Sequence, residues 1–424
     1  MRELTVDTSE DPVTPDILSA LQLCASNKPL FPKMESFWCE DATEAFIPFI
    51  PLFLSHKTTL IDIEFSEGLP TETIASMIIG LSKSCPNLER IALTVLPRDP
   101  VIIEAVSELL FACNQDSLQS FVVDSPLTEE AQQVVFQLPK LSELWAVIQG
   151  HRQIPPVTLP NLLSIDVEYD DHLNWLQGFC GAILGGLEDV CFRSESEQIG
   201  DFLGEFKSVA LTTSTPTTLT RFAFKTSQPW DPDYRSLLPF TQLKVLHIEF
   251  SCNNHCSSRV DDNIIIDLAR AMPKLEILRL GDTPCRTIGG VTAKGLVALA
   301  RGCCHLSKLR IRFQAASLVE AATNTGVPAL SDDETTVRQQ DCVLTDLEVG
   351  DIPILGNTVP IVALTLLWIF PRIERIDSTD GHWEKVMSTI RLHQLADLSS
   401  KQHPLTMHSS NRNDTPIGAT NTSS

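Results

Sequence analysis

The sequence predicts an α/β solenoid of about 14 irregular strand–helix units. Strands would lie side by side in a curved parallel inner sheet, with helices outside. Three observations predict it. An apolar signature, L-x-x-L-x-L with other apolar residues substituting, recurs from end to end. Its L-x-L part alternates apolar and polar residues, as a strand with one buried face does. Behind most copies runs a segment with helical periodicity and a helix-start residue. Repetition at roughly 20–50 residues means that each unit buries its apolar face only against its neighbours.

In chain order, weaker copies open the array at Met1/Leu4/Val6, Met34/Phe37/Cys39 and Leu60/Ile63/Phe65. Leu88/Ile91/Leu93 and Leu118/Phe121/Val123 follow, then the weaker Leu141/Leu144/Ala146. Next come Leu162/Ile165/Val167, Leu187/Val190/Phe192, Leu219/Phe222/Phe224 and Leu243/Leu246/Ile248. Leu275/Leu278/Leu280, Leu306/Leu309/Ile311, Leu344/Leu347/Val349 and Ile373/Ile376 complete the series. Spacings run from 21 to 38 residues. Among the predicted helices, the one at Pro100 has Asp99 as N-cap and proline at its first position. Thr128, Thr292 and the Asp261–Asp262 pair mark three more starts. The run Ile361–Phe370 reads as a buried repeat helix starting near Pro360, too short for a membrane span of about 20 residues.

The solenoid is predicted over 1–395. A solvated insertion loop falls at about 324–341, where Ser331-Asp-Asp-Glu-Thr-Thr sits near Gly326 and Pro328. The Ser/Thr/Pro stretch Thr212–Thr218 is expected to be exposed. A last helix from Gly381 to about Leu395 closes the array, and 396–424 reads as a disordered tail.

The charge is lopsided, with 54 Asp+Glu against 32 Lys+Arg. A net charge of -22 repels phosphate backbones and anionic bilayers, so neither nucleic acid nor membrane is an expected partner. Twelve cysteines at irregular spacing, many inside apolar patterns, suit reduced thiols and a cytoplasmic or nuclear location. The N-terminus shows no secretory pattern. Without secretion, the glycosylation matches at Asn413 and Asn421 read as chance.

Two junctions narrow the repeat type: Leu81-Ser-Lys-Ser-Cys-Pro-Asn-Leu-Glu-Arg-Ile-Ala-Leu and Gly302-Cys-Cys-His-Leu-Ser-Lys-Leu-Arg-Ile. Met272-Pro-Lys-Leu, Leu138-Pro-Lys-Leu and Leu159-Pro-Asn-Leu repeat the join without cysteine. They resemble the cysteine-containing leucine-rich repeat of F-box/leucine-rich-repeat proteins, in a fungal, irregular form. The resemblance implies a non-catalytic protein-recognition module, the substrate-binding part of an F-box-type adaptor in a cullin-based ubiquitin ligase. A Skp-type linker would be a partner where an F-box is present. None is visible here, because Met1 already fits the repeat; it was lost or lies upstream. A scaffold without ligase role is the alternative, with a small-GTPase-activating repeat protein behind it. The family's usual Asn or Cys after the last leucine is replaced at Leu96, Pro126, Asp170, Glu195, Ser227, Ser251, Thr283, Gln314 and Ile352. A regular asparagine ladder is therefore not expected.

No catalytic apparatus, cofactor site or metal site is expected. His247-Ile-Glu249 with Cys252 and Cys256 lacks the Pro-Cys-x-x-Cys that a zinc deaminase needs. Cys252, His255 and Cys256 lack a second ligand pair. Gly289-Gly-Val-Thr-Ala-Lys-Gly lacks phosphate-loop order. One charge pattern stands out on the strand positions that should face the concave surface. Early copies carry Asp62, Glu64, Asp124, Glu143, Asp166 and Glu168. Later ones carry Arg193, Arg221, Lys225, His247, Arg279, Lys308, Arg310 and Arg312. Arg90, Glu249, Asp346 and Glu348 break the trend. Such a basic strip is a candidate seat for an acidic or phosphorylated protein segment. Against it stands the plainer reading, that strand charges only keep the sheet soluble.

Overall fold

The computed structural model describes residues 2–8, 15–25, 28–149, 158–169, 183–184, 186–195, 199–212, 215–250, 260–281, 290–325 and 342–402. Every copy of the apolar signature becomes a strand of one open sheet of 14 strands, all parallel and in chain order. The first seven are β1 (Glu3–Asp7), β2 (Ser36–Ala42), β3 (Leu60–Phe65), β4 (Arg90–Thr94), β5 (Ser120–Pro126), β6 (Glu143–Ile148) and β8 (Ser164–Tyr169). The last seven are β10 (Asp189–Ser194), β11 (Arg221–Thr226), β12 (Val245–Phe250), β13 (Ile277–Leu280), β14 (Lys308–Arg310), β15 (Asp346–Gly350) and β16 (Arg375–Ser378).

Strand register tests the signature residue by residue. Phe37 pairs with Ile61, Ile61 with Ile91 and Ile91 with Phe121. The same row continues through Leu144, Ile165, Val190, Phe222, Leu246, Leu278, Leu309, Leu347 and Ile376. One expected copy is displaced. Leu60/Ile63/Phe65 sits two residues late, since Leu60 pairs with Arg90. The true anchor is Thr58, fully buried, whose hydroxyl donates to the Met34 carbonyl at 3.2 Å. A threonine can fill a leucine position because that carbonyl satisfies its hydroxyl.

Helices cover the outer face: α1 (Pro15–Ala25), α2 (Ile50–Phe53), α3 (Thr71–Ser84), α4 (Pro100–Ala112), α5 (Glu129–Val135), α6 (Phe202–Ala210), α7 (Thr215–Thr218), α8 (Asp262–Ala271), α9 (Ala293–Gly302), α10 (Ala315–Thr325), α11 (Val359–Ile369) and α12 (Gly381–Gln402). In the units starting at Leu141 and Leu162, the described segments behind the main strands are two-residue strands, β7 (Thr158–Leu159) paired with β9 (Ile183–Leu184). The Thr212–Thr218 stretch is not simply exposed: Thr215 is fully buried at the start of α7. The last helix passes its expected end near Leu395 and continues through Gln402. Most of the expected insertion loop, and 403–424, lie outside the described residues.

Helix starts follow local chemistry. Asp99 accepts from Val101 N at 2.8 Å, with Pro100 as first residue of α4. Of the acidic pair ahead of α8, Asp261 is the cap, accepting from Ile264 N at 2.9 Å. Asp262 reaches into the next unit, accepting from Thr292 N, Thr292 Oγ1 and Gly295 N at 2.8, 2.6 and 3.0 Å. Gly295 has to be glycine here, because a Cβ would stand 2.6 Å from Asp262 Oδ1.

Two devices join the units. The helix-ending thiols of Cys85 and Cys303 donate to Ser55 O at 3.6 Å and Met272 O at 3.5 Å, each in the preceding unit. Burial pushes both thiols up to about 12, so they are structural rather than reactive. Instead of an asparagine ladder, the backbone itself carries the contact. The carbonyl just before each strand accepts two successive N–H groups from the next unit. Glu35 O takes Thr59 and Leu60, Thr59 O takes Glu89 and Arg90, and the pattern runs on to Thr345 O. Hydroxyls reinforce it, as Ser142 does on Gln119 O at 2.9 Å and Ser307 on Glu276 O at 3.0 Å. At the opposite strand ends groups are satisfied individually. Asp124 accepts from Val95 N and Leu96 N at 2.6 and 3.0 Å and so fixes the loop after β4. That loop holds Val95 at φ 62°, which a β-branched side chain adopts only under constraint.

Candidate functional site: the concave sheet face

Alternation along the strands sends every second side chain to the concave surface. In-register pairing then lines these up in rows. The central row reads Trp38, Asp62, Ala92, Val122, Trp145 and Asp166 in the first half. It continues through Cys191, Ala223, His247, Arg279, Arg310 and Glu348 in the second.

The eight cationic candidates all belong to strands β10–β14 or follow them directly, and they share this face. His247, Arg279 and Arg310 are consecutive in the central row. Arg193 and Lys225 pair along the row above, and Arg221 and Lys308 occupy the row below. Arg312 follows β14. Their carboxylate partners are what charge pattern alone did not reveal. Arg193 is 2.6 Å from Asp166, Arg221 3.4 Å from Asp189 and Arg312 2.7 Å from Asp351. Arg279 reaches Glu348 at 2.6 Å, and Arg310 lies between Glu348 at 3.8 Å and Glu249 at 3.6 Å. Glu249 also meets His247 at 3.3 Å and Lys225 at 3.9 Å. Lys308 is exposed.

Five strands are thus tied by one chain of alternating charges, and two of the four residues that broke the sequence trend, Glu249 and Glu348, are its anions. The His247 contact, reinforced by Arg310 and Lys225, holds Glu249 down to about 2 despite burial. With its cations largely matched, the strip lends no added support to an acidic partner.

The first half is different. Burial, with Glu143 and Glu40 adding to it, raises the Asp62 carboxyl above its ordinary value, and Arg90 offsets this only in part. Arg90 leans toward Glu143 at 3.9 Å. Burial likewise raises Asp124, against its two backbone hydrogen bonds.

A cavity of about 370 Å³ opens at the ends of β8, β10, β11 and β12, lined by residues that include Arg98, Glu168, Arg193, Lys225, Glu249 and Phe250. Arg98 arrives from the constrained loop after β4 and pairs with Glu168 across the ends of β5 and β6. Its cations and carboxylates are balanced, so it selects for neither sign of ligand. Sequence reasoning missed Arg98, because nothing local announces a contact 70 residues away. It also passed over Trp38 and Trp145, although their place between two strand apolar residues was the available signal.

Among the described residues, no group of three His, Cys, Asp or Glu side chains could hold a metal ion. Cys252, His255, Cys256 and Gly289 lie outside the described residues. No described helix is long and apolar enough to cross a membrane.

No protein-family model matches the chain, and no curated protein matches it. Among solved structures, it is similar to one described as the complex of Rad7 and Elc1 in yeast. Identity is 14%, over 87% of this chain and 84% of that one, with a TM-score of 0.39. The solenoid assignment rests on this chain's own strands and their register.

Proposed function

We propose that this chain is a protein-recognition module that holds its partner on the concave sheet. By its resemblance to F-box/leucine-rich-repeat proteins, we further propose that it is the substrate-receiving part of a cullin-type ubiquitin ligase adaptor. The observation that supports recognition is the inner face. Fourteen parallel strands, in register apart from shifts at β2–β3, β5–β6 and β15–β16, present tryptophan and charged side chains that are half-exposed, on a backbone that neighbouring units hold rigid. The helix-ending cysteines that cap the preceding unit support the family reading. The described cysteines are free, five of them buried, which supports a reducing cytoplasmic or nuclear setting.

The test has two arms. Affinity purification of the chain from a native extract should enrich a specific partner, and Asp62→Asn with Trp38→Leu should reduce that enrichment. A Skp-type linker should co-purify with the full-length gene product. Absence of the linker removes the ligase role and leaves recognition standing as a scaffold function. Enrichment indifferent to every concave-face substitution removes recognition by this face.

A further inference from the structure

The concave sheet builds the same side-chain arrangement twice. On β6 and β8, Trp145 and Asp166 are direct register partners. One row above, Glu168 pairs with Arg193 of β10. The Arg193 guanidinium lies 5.1 Å from the centre of the Trp145 ring and 2.6 Å from Asp166. Indole face, carboxylate and guanidinium together satisfy an arginine's apolar plane and its charge.

On β2 and β3, Trp38 and Asp62 are again direct register partners. One row above, Glu64 pairs with β4 at the position equivalent to Arg193, and that residue is Thr94. Among the described residues no cation lies over Trp38, and neither Asp62 nor Glu64 has an ion-pair partner within 4.0 Å. Glu40 adds a further exposed carboxylate beside Trp38. Ala92 and Val122 continue the row as a small apolar floor, leading over to Trp145. From Trp38 to Trp145 is four strand spacings, about 19 Å at ~4.8 Å each, the length of roughly six extended residues.

We infer that Trp38, Asp62 and Glu64 form an arginine seat, filled by a guanidinium from a basic segment of the protein partner. The inference rests on the reading of the concave face as the recognition surface and names the chemistry that this face selects. The chain's own Arg193 shows the geometry of a filled seat. At the other copy every component but the cation comes from the chain, and the surrounding charge is acidic. The partner segment is therefore basic and lies over the first half of the sheet, away from the ion-paired second half.

The test uses the full chain and a synthetic peptide, acetyl-(Gly-Arg)4-amide, followed by calorimetry and tryptophan fluorescence. Acetyl-(Gly-Glu)4-amide and free arginine serve as comparison ligands. The arginine peptide should bind, and both Asp62→Asn and Trp38→Leu should weaken it about tenfold or more. Thr94→Arg, which supplies the cation internally, should weaken it as much while circular dichroism stays unchanged. Glu64→Gln gives the same reading if Thr94→Arg fails to fold. Equal peptide binding by wild type and these variants, no binding at all, or free arginine binding as tightly as the peptide would each overturn the seat. If a native partner is captured, and its capture survives these substitutions, the seat falls while recognition by the chain stands.

Discussion

On the last seven strands, seven of the eight candidate cations have a carboxylate within ion-pair distance, and Glu249 and Glu348 are each shared by more than one cation. On the first seven, carboxylates dominate: Arg90, the one cation on these strands, reaches Glu143 at 3.9 Å, Asp166 and Glu168 of β8 are met by Arg193 and Arg98, and Asp62 and Glu64 have no ion-pair partner among the described residues. Both halves are built from the same repeat, and each has local register shifts, at β2–β3 and β5–β6 in the first and at β15–β16 in the second. The contrast is in what the side chains find across neighbouring strands. A half that satisfies its own charges gains rigidity and offers a partner little. A half that leaves carboxylates beside an indole keeps an electrostatic penalty that a cationic partner can relieve.

The sharpest way to break the contrast is Arg310→Glu. Its side chain is 13% exposed between Glu249 and Glu348, so the substitution sets three carboxylates together. We expect a loss of about 3 kcal/mol. Urea unfolding and amide exchange over β12–β15 would read it; unchanged exchange there would mean the network contributes nothing. Arg193→Ala should lose less, about 1–2 kcal/mol, and it should convert Trp145 and Asp166 into a second arginine seat. Titration with the arginine peptide should then show two sites instead of one.

Acid should act in opposite directions on Glu249 and on the buried carboxylates Asp62 and Asp124. The folded pKa of Glu249 is depressed from 4.5 to about 2, so its stabilising contribution is complete above 4.5 and disappears as pH falls toward 2. Asp62 and Asp124 are raised above 3.8, so their contribution is complete below that value and is lost as pH rises through the raised one. As pH falls, protection factors on β3–β5, corrected for the intrinsic pH dependence of amide exchange, should therefore rise before those on β12 fall. Parallel loss of protection in both halves would contradict the assignment. The smallest effect belongs to Lys308→Ala, an exposed site where stability should change by less than about 0.5 kcal/mol. A larger change would place Lys308 in the charge network with its neighbours.

How much of this was legible in the sequence differs by level. Strand number and order followed from the apolar signature, because a buried leucine row tolerates few alternatives. The miss at Leu60 came from Thr58, a polar residue in an apolar slot, whose hydrogen bond to Met34 O is a tertiary fact. Likewise Asp261 and Asp262 both read as caps, but only folding brings Thr292 within reach of Asp262. The charges on the concave face were readable from alternation; their pairing was not, since Arg310 and Glu348 meet through register rather than sequence. The tryptophans were passed over because large aromatics usually mark the core.

The carbonyl ladder before the strands also bears on how such a chain can change over time. Each rung is a main-chain oxygen taking two main-chain N–H groups, so it asks nothing of the side chain at that position. Glutamate, threonine, glutamine, leucine and lysine all supply rungs here, at Glu35, Thr59, Gln119, Leu163 and Lys244. A side-chain ladder would have fixed an asparagine in every unit and left a recognisable stamp. A main-chain ladder lets each unit drift freely in composition and length while the stack stays in register.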